Sequence, residues 1–256
     1  MKIGFIGLGK LGLPVALGIE SKGHDVYGYD LNKNIHNDII NKKIKYHEKH
    51  ADELLKKTKI KILGLEEVIR KSQIIFVPIQ TPHHKKYEGI TDLPKERKDF
   101  DYKYLANGIK MISKVLDKLK INKTIIIIST VLPGTMKKKI FPQASKYAKI
   151  GYNPFFIAMG TTIDDFLYPE FILFGSNDRK VSVVAKNFYK SITNSFFFET
   201  TIENAELIKV VYNTFISTKI AYINSITELT HKLPNTNIDD VTTALNLSTK
   251  RIVSGA

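Results

Sequence analysis

Short apolar runs alternate with amphipathic stretches along most of the chain. Lys2–Ile6 reads as a buried strand, 7–12 as a tight glycine turn, 13–22 as a helix and Asp25–Tyr29 as a second strand. Polar helical stretches follow at 33–42 and Leu65–Lys71, then a fully apolar strand at Ile74–Val77. Pro78 and Pro82 force an extended exit from that strand. The stretch 83–100 is polar, carries Gly89 and Pro94, and reads as a surface loop. Leu105, Ile109, Ile112, Leu116 and Leu119 recur at helical spacing from about residue 101. The unbroken isoleucines Ile125 to Ile128 mark a central strand over 124–129, since only a strand buried on both faces tolerates such a run. Further strands are expected at Ala148–Tyr152, 171–174 and 195–198, with a helix at 180–192 before the last. Strand alternating with helix predicts an α/β fold with a mainly parallel, doubly wound sheet. From Ile202 the pattern becomes one long helix running toward Lys232, with Leu207, Val211, Phe215, Ile223 and Ile226 on its apolar side. So long a helix joins domains or forms a subunit interface. The chain thus divides into an α/β domain at 1–200 and a helical, all-α segment at 201–256.

Composition narrows the picture. The chain has 256 residues, 43% of them hydrophobic, enough for one large or two ordinary domains with a packed core. Its net charge of +14, from 39 basic and 25 acidic residues, could signal nucleic acid. The lysines are scattered, however (Lys42-Lys43, Lys56-Lys57, Lys85-Lys86, Lys137 to Lys139), with no aromatic-studded stripe between them. Solvated faces explain them better, nucleic acid is not an expected partner, and a basic surface would attract an anionic substrate. The sequence has no cysteine, which excludes disulfides and thiolate metal sites. His47 and His50 stand near Asp52 and Glu53, but that lysine-laden segment lacks a rigid frame, and no metal is expected. No apolar run approaches the ~20 residues of a membrane span, and no signal peptide precedes the strand at Lys2. Cytoplasmic residence is the expectation.

The candidate chemistry lies at the start. Gly7, Gly9 and Gly12 form a G-x-G-x-x-G turn that follows a predicted strand, opens a helix, and has an acid, Asp30, at the end of the next strand. Gly7 permits the turn, Gly9 lets backbone approach a pyrophosphate, and Gly12 lets helix and sheet lie close. The helix N-terminus then faces the diphosphate, with Lys10 and Leu11 beside it. Asp30 would accept both hydroxyls of a ribose and repel a 2′-phosphate, so NAD is preferred to NADP. Lys33 is close enough to offset part of that charge. Thr81 sits at the exit of the Ile74–Val77 strand, and His83-His84 follow it. Ser129 and Thr130 form a hydroxyl pair at the end of a central strand, where ligands of open α/β sheets bind. On spacing alone, Thr130 serves a ligand or a turn equally well.

The order of these features resembles the UDP-glucose/GDP-mannose dehydrogenase family. The stretches that carry the resemblance are 7–14 (GLGKLGLP), Asp30, Thr81-Pro82, 129–135 (STVLPGT), 153–160 (NPFFIAMG) with Pro169 and Gly175, and 206–224 (ELIKVVYNTFISTKIAYIN). The resemblance implies a Rossmann-type NAD-binding domain followed by a central domain whose long helix pairs subunits. It implies oxidation of the C6 alcohol of a nucleotide sugar to a carboxylate with two NAD, the UDP-glucose 6-dehydrogenase type of reaction with a UDP-sugar substrate. In that family a cysteine thiolate traps the intermediate aldehyde, and this sequence has none. Carried over by position, Lys209 and Asn213 match the catalytic lysine and asparagine, and Thr130 would lie beside the nicotinamide. Asn153, Phe155, Phe156, Ile157 and Met159 would line the sugar-nucleotide site. The family often has glutamates where Phe155 and Met159 stand, a departure read as a subfamily mark. The segment 251–256 corresponds to the stretch before the cysteine loop and a second Rossmann-like domain. The expectation is that those parts lie outside this sequence, either on a separate chain or lost by truncation. Two other readings remain open: a β-hydroxyacid dehydrogenase of the 6-phosphogluconate type, which needs no cysteine, and a non-catalytic NAD-binding module.

Overall fold

The computed structural model describes residues 1–90 and 92–248. It divides into two compact units, Met1–Ile208 and Lys209–Ala256. In the first, eight strands form one sheet: β1 (Lys2–Ile6), β2 (Asp25–Tyr29), β3 (Lys61–Ile62), β4 (Ile74–Val77), β5 (Lys123–Ile127), β6 (Ala148–Tyr152), β7 (Phe171–Gly175) and β8 (Phe196–Thr200). Their order is β3-β2-β1-β4-β5-β6-β7-β8. All neighbours run parallel except β6 and β7, which meet antiparallel with Tyr152 opposite Gly175. This is the doubly wound, mainly parallel sheet expected from the alternating pattern.

Both faces of the sheet are covered, and strand periodicity shows how. Ile74, Phe76, Ile126 and Ile128 point into one core, and Ile75, Val77, Ile125 and Ile127 into the other. The isoleucine run is therefore two interleaved buried faces. The helices α1 (Gly12–Ser21) and α7 (Arg179–Lys190) fill the first core, with Val15, Ala16 and Ile19 from one and Val181, Ala185 and Phe188 from the other. Phe5 stacks on Phe76 with ring centroids 5.3 Å apart. On the opposite face, α5 (Lys103–Leu119) buries Leu105, Ile109, Ile112 and Leu116 of the expected stripe, with Leu119 partly buried at its end, beside Ile69 of α4 (Leu65–Lys71). Each such side chain contributes about 1.5–3 kcal/mol.

The helix expected over 33–42 is α2 (Lys33–Ile40); Lys42 takes a left-handed backbone, φ 56°, that ends it. Two further helices, α3 (Ala51–Lys57) and α6 (Thr162–Leu167), complete the first unit together with the two-residue β3. None of these three was anticipated from the sequence. Residue 91, in the loop over 83–100, lies outside the described residues.

The 29-residue helix α8 (Ile202–Thr230) begins in the first unit and continues into the second. It is followed by α9 (Ile238–Leu247), whose first turn is capped by Asn237 accepting the Asp239 N–H at 2.8 Å. On α8, Val211 and Phe215 are exposed, and Ile223 and Ile226 are half-buried. Among the described residues, no helix is long and apolar enough to cross a membrane. The segment 251–256 lies outside the described residues.

Candidate functional site

Strand order reverses between β1 and β4, and a cleft of about 960 Å³ opens at their carboxyl ends. Open α/β sheets bind ligands at this switch point because the loops on either side diverge there. The glycine turn forms one wall. Gly7 has φ 112°, which only glycine adopts without strain, and its N–H donates to the Tyr29 carbonyl at 2.8 Å. A Cβ at Gly12 would collide with the Gly7 carbonyl oxygen and lie 2.8 Å from Cγ of Pro78. A Cβ at Gly9 would meet nothing within 4 Å. Gly12 is thus glycine for packing and Gly9 for access. The N–H groups of Lys10 and Leu11, at the head of α1, have no acceptor among the described residues. Asp30 closes this wall: Oδ2 accepts the Leu8 N–H at 2.7 Å and Oδ1 the Asn32 N–H at 2.8 Å. Lys33, exposed at the start of α2, is not among the residues that line the cleft.

The opposite wall is the paired exit of β4 and β5. Thr81 donates its hydroxyl to the Thr130 carbonyl at 2.7 Å. The Ser129 hydroxyl is spent on the same joint, with the Ile79 carbonyl as its close partner and the Val77 carbonyl at 3.3 Å. Thr130 lines the cleft, and its own hydroxyl has no partner among the described residues. Met159 and His83 also line it.

Three side chains that sequence reasoning did not single out support this wall from below. The Leu132 N–H donates to the Tyr102 hydroxyl at 3.2 Å, and that hydroxyl donates to Asp99 at 2.6 Å. Burial and the Asp99 carboxylate push the Tyr102 hydroxyl up to about 12. Glu206, fully buried, accepts the Gly134 N–H at 2.8 Å and the Met136 N–H at 2.7 Å. Burial raises its carboxyl above the usual range, an effect that these N–H groups oppose. In the sequence Glu206 looks like any helical acid, apart from opening the 206–224 stretch that carries the family resemblance.

The stretch 153–160 is distributed between two places. Met159 reaches the cleft, whereas Asn153, Phe155, Phe156 and Ile157 surround a small crevice over β7. Asn153 is buried, with its amide donating to the Leu173 carbonyl at 2.7 Å and its oxygen accepting the Tyr189 hydroxyl. Phe155 packs on Phe166 and Phe156 on Phe171, with centroids 5.4 and 5.0 Å apart. His50 faces Asp164 at 3.4 Å, beside Lys49 at 2.8 Å from the same carboxylate.

In the second unit, Lys209 is buried and donates to Asn213 at 3.2 Å, one helical turn along α8. Desolvation lowers its ammonium to about 8.

The sequence model for the NAD-binding domain of the UDP-glucose/GDP-mannose dehydrogenase family matches residues 1–193, and that for the family's central domain matches 203–254. The chain belongs to this family. It is 31% identical to a UDP-glucose 6-dehydrogenase of Rickettsia prowazekii over 96% of this chain and 56% of that protein. It is 27% identical to a UDP-N-acetyl-D-mannosamine dehydrogenase of Pyrococcus horikoshii over 91% of this chain and 54% of that one. The chain therefore spans about half the length of the curated relatives it matches. Among solved structures, GDP-mannose dehydrogenase from Pseudomonas aeruginosa superposes with a TM-score of 0.88 at 22% identity, covering 99% of this chain and 58% of that one. A 3-hydroxyisobutyrate dehydrogenase from Mycobacterium tuberculosis gives 0.64 at 14% identity, over 95% of this chain and 70% of that one. At these identities both likenesses establish the fold alone.

The cofactor of this UDP-glucose/GDP-mannose dehydrogenase family member is NAD, and the cleft fits it. The open space over Gly9 and the unpartnered N–H groups of Lys10 and Leu11 suit a diphosphate, and the Asp30 carboxylate is held rigidly where a ribose would lie.

Proposed function

We propose that this chain supplies the coenzyme half of a nucleotide-sugar 6-dehydrogenase acting on a UDP-sugar, with UDP-glucose the first candidate. The observation that carries the reading is the match of both family domains to this chain, whose first unit holds a dinucleotide cleft and whose second unit opens with a buried, desolvated lysine. Bound NAD would take up the hydride removed from C6 of the sugar. Lys10 and the free N–H groups beside it would hold the diphosphate, and Asp30 the adenosine ribose. The Thr130 hydroxyl would stand at the nicotinamide end. Lys209, with an ammonium near 8, would be charged at neutral pH and stabilise negative charge developing on the C6 oxygen. The Asn213 side-chain oxygen accepts from the Lys209 ammonium at 3.2 Å and would help to orient it.

The second oxidation of this chemistry needs a nucleophile to trap the aldehyde, and these 256 residues contain no cysteine. A thiolate would come from outside them. Exposed Val211, Phe215, Tyr222 and Leu229 on α8 support association of two copies through the second unit. The family match over both segments favours this reading over the β-hydroxyacid alternative.

The test measures heat on titration with NAD, then NADH formation from UDP-glucose and from UDP-N-acetylmannosamine, with and without a polypeptide supplying the cysteine-bearing half. NAD binding with turnover of a nucleotide sugar in the completed system is expected. NADH formed from small hydroxyacids alone would overturn it.

A further inference from the structure

We propose that Glu206 is a positioning residue for the nicotinamide wall of the cleft: its carboxylate fixes the far end of the loop that presents Thr130. The inference rests on the reading of Thr130 given above. The segment from Ser129 to Met136 has no strand or helix of its own until the π-helical turn at Met136–Ile140. Side-chain hydrogen bonds to other elements hold it instead. Ser129 is tied to the exit of β4, the Thr130 carbonyl to Thr81 at 2.7 Å, and the Leu132 N–H to Tyr102 at 3.2 Å. Gly134 and Met136 are tied to Glu206 at 2.8 and 2.7 Å.

Glu206 makes the last of these ties, and the geometry gives it two features of a positioning group. It uses both carboxylate oxygens on the same loop, so the loop is gripped at two points that do not pivot independently. Gly134 has φ 85°, so the turn it grips is one that the chain does not adopt by default. A fully buried carboxylate is costly unless its hydrogen bonds are made, and here the acceptors and the N–H groups of the turn satisfy one another. Glu206 does not line the cleft itself. Its influence on a ligand therefore passes through the loop, and falls on the Thr130 end of the cleft. The Asp30 end is held by different bonds.

That asymmetry gives the test. ADP-ribose shares the adenosine and diphosphate of NADH but lacks the nicotinamide, so the ratio of the two affinities isolates the Thr130 end. Calorimetric titration of wild type, Glu206→Gln, Thr130→Val and the double variant with both ligands is the experiment. Glu206→Gln should keep ADP-ribose affinity, which also certifies its fold, and shift the ratio about fivefold against NADH. Thr130→Val should shift it in the same direction, and the double variant by less than the product of the two. If Glu206→Gln fails to bind ADP-ribose, Glu206→Asp, which keeps the charge but draws the loop back by one methylene, carries the same comparison. An unchanged ratio overturns the proposal, as does equal loss of both ligands in both variants. Absence of NADH and ADP-ribose binding in the wild type would instead sink the coenzyme reading itself.

Discussion

The carboxylate of Asp30 accepts the Leu8 N–H at 2.7 Å, so the acid ending β2 and the glycine turn leaving β1 form one piece. Leu8 is buried, and its N–H has no water to fall back on. Asp30→Ala should therefore do two things. It should weaken NAD about tenfold or more, by removing a charged acceptor, and narrow the preference for NAD over NADP. It should also cost roughly 1–3 kcal/mol of stability through the orphaned Leu8 donor. Calorimetry with both dinucleotides and a denaturant titration check the two effects separately.

Gly9 and Gly12 make opposite predictions from one motif. Gly12→Ala drives a methyl into the Gly7 carbonyl and toward Pro78, and should lower stability by about 1–3 kcal/mol. Gly9→Ala meets no atom within 4 Å and should leave the melting temperature unchanged while the methyl obstructs the diphosphate. Thermal melts without ligand, set beside NAD affinity, distinguish the two. A melting temperature lowered as much in Gly9→Ala as in Gly12→Ala would refute the division of labour.

This contrast shows why the sequence was informative here and not elsewhere. The glycine turn, Asp30 and the isoleucine strand are local: each residue's neighbours in the chain also decide its environment. The switch-point sheet followed from strand and helix alternation, a signal repeated many times. The antiparallel β6–β7 pair, α3 and α6 had no such repetition. Glu206 and Asn153 were obscure for a different reason, because their roles come from partners more than 15 residues away, Gly134 and Met136 in one case, Leu173 and Tyr189 in the other. A helical glutamate reads as solvated until its partners are known, and Asn153, expected by resemblance at the sugar-nucleotide site, shows its core hydrogen bonds only once Leu173 and Tyr189 are placed beside it.

Asn153 illustrates the consequence. Its amide satisfies the Leu173 carbonyl, and its oxygen satisfies the Tyr189 hydroxyl, all within the core. Asn153→Ala leaves both partners buried and unpaired, and a loss of roughly 2–4 kcal/mol is expected. Denaturant unfolding measures it. NAD affinity, which depends on the separate cleft, should stay within about twofold at temperatures where the variant is folded.

Lys209 should make stability depend on alkaline pH. Its ammonium titrates near 8 in the folded chain against an ordinary 10.5, with desolvation as the cause. Below pH 8 both states carry the proton, and the folded state bears the full cost of burying the charge. Between 8 and 10.5 the unfolded chain binds more protons, so this contribution rises with pH and the cost is relieved. Lys209→Met should be more stable than wild type at neutral pH by on the order of 1–2 kcal/mol, after allowing for residual solvent screening. The gap should close at about pH 10. Denaturant titrations of both proteins at the two pH values test this, and a gap that stays constant would contradict the lowered value.

The face of α8 in the second unit makes the last prediction. Val211, Phe215, Tyr222 and Leu229 fall four, seven and seven residues apart, which keeps them on one stripe of a helix, and each is about half exposed. A row of large apolar side chains left in water on a helix this long is unfavourable, and each would contribute a substantial part of the usual 1.5–3 kcal/mol on burial against a second copy. Two such helices related by a two-fold axis would present the same stripe to one another, so a single substitution acts twice in the interface. Phe215→Glu places a carboxylate on each side of the axis in the middle of the stripe. Sedimentation should find a dimer for the wild type and a monomer for Phe215→Glu. NAD affinity should be unchanged, since every residue lining the coenzyme cleft belongs to the first unit. A wild type that sediments as a monomer at high concentration would rule out self-association through this face.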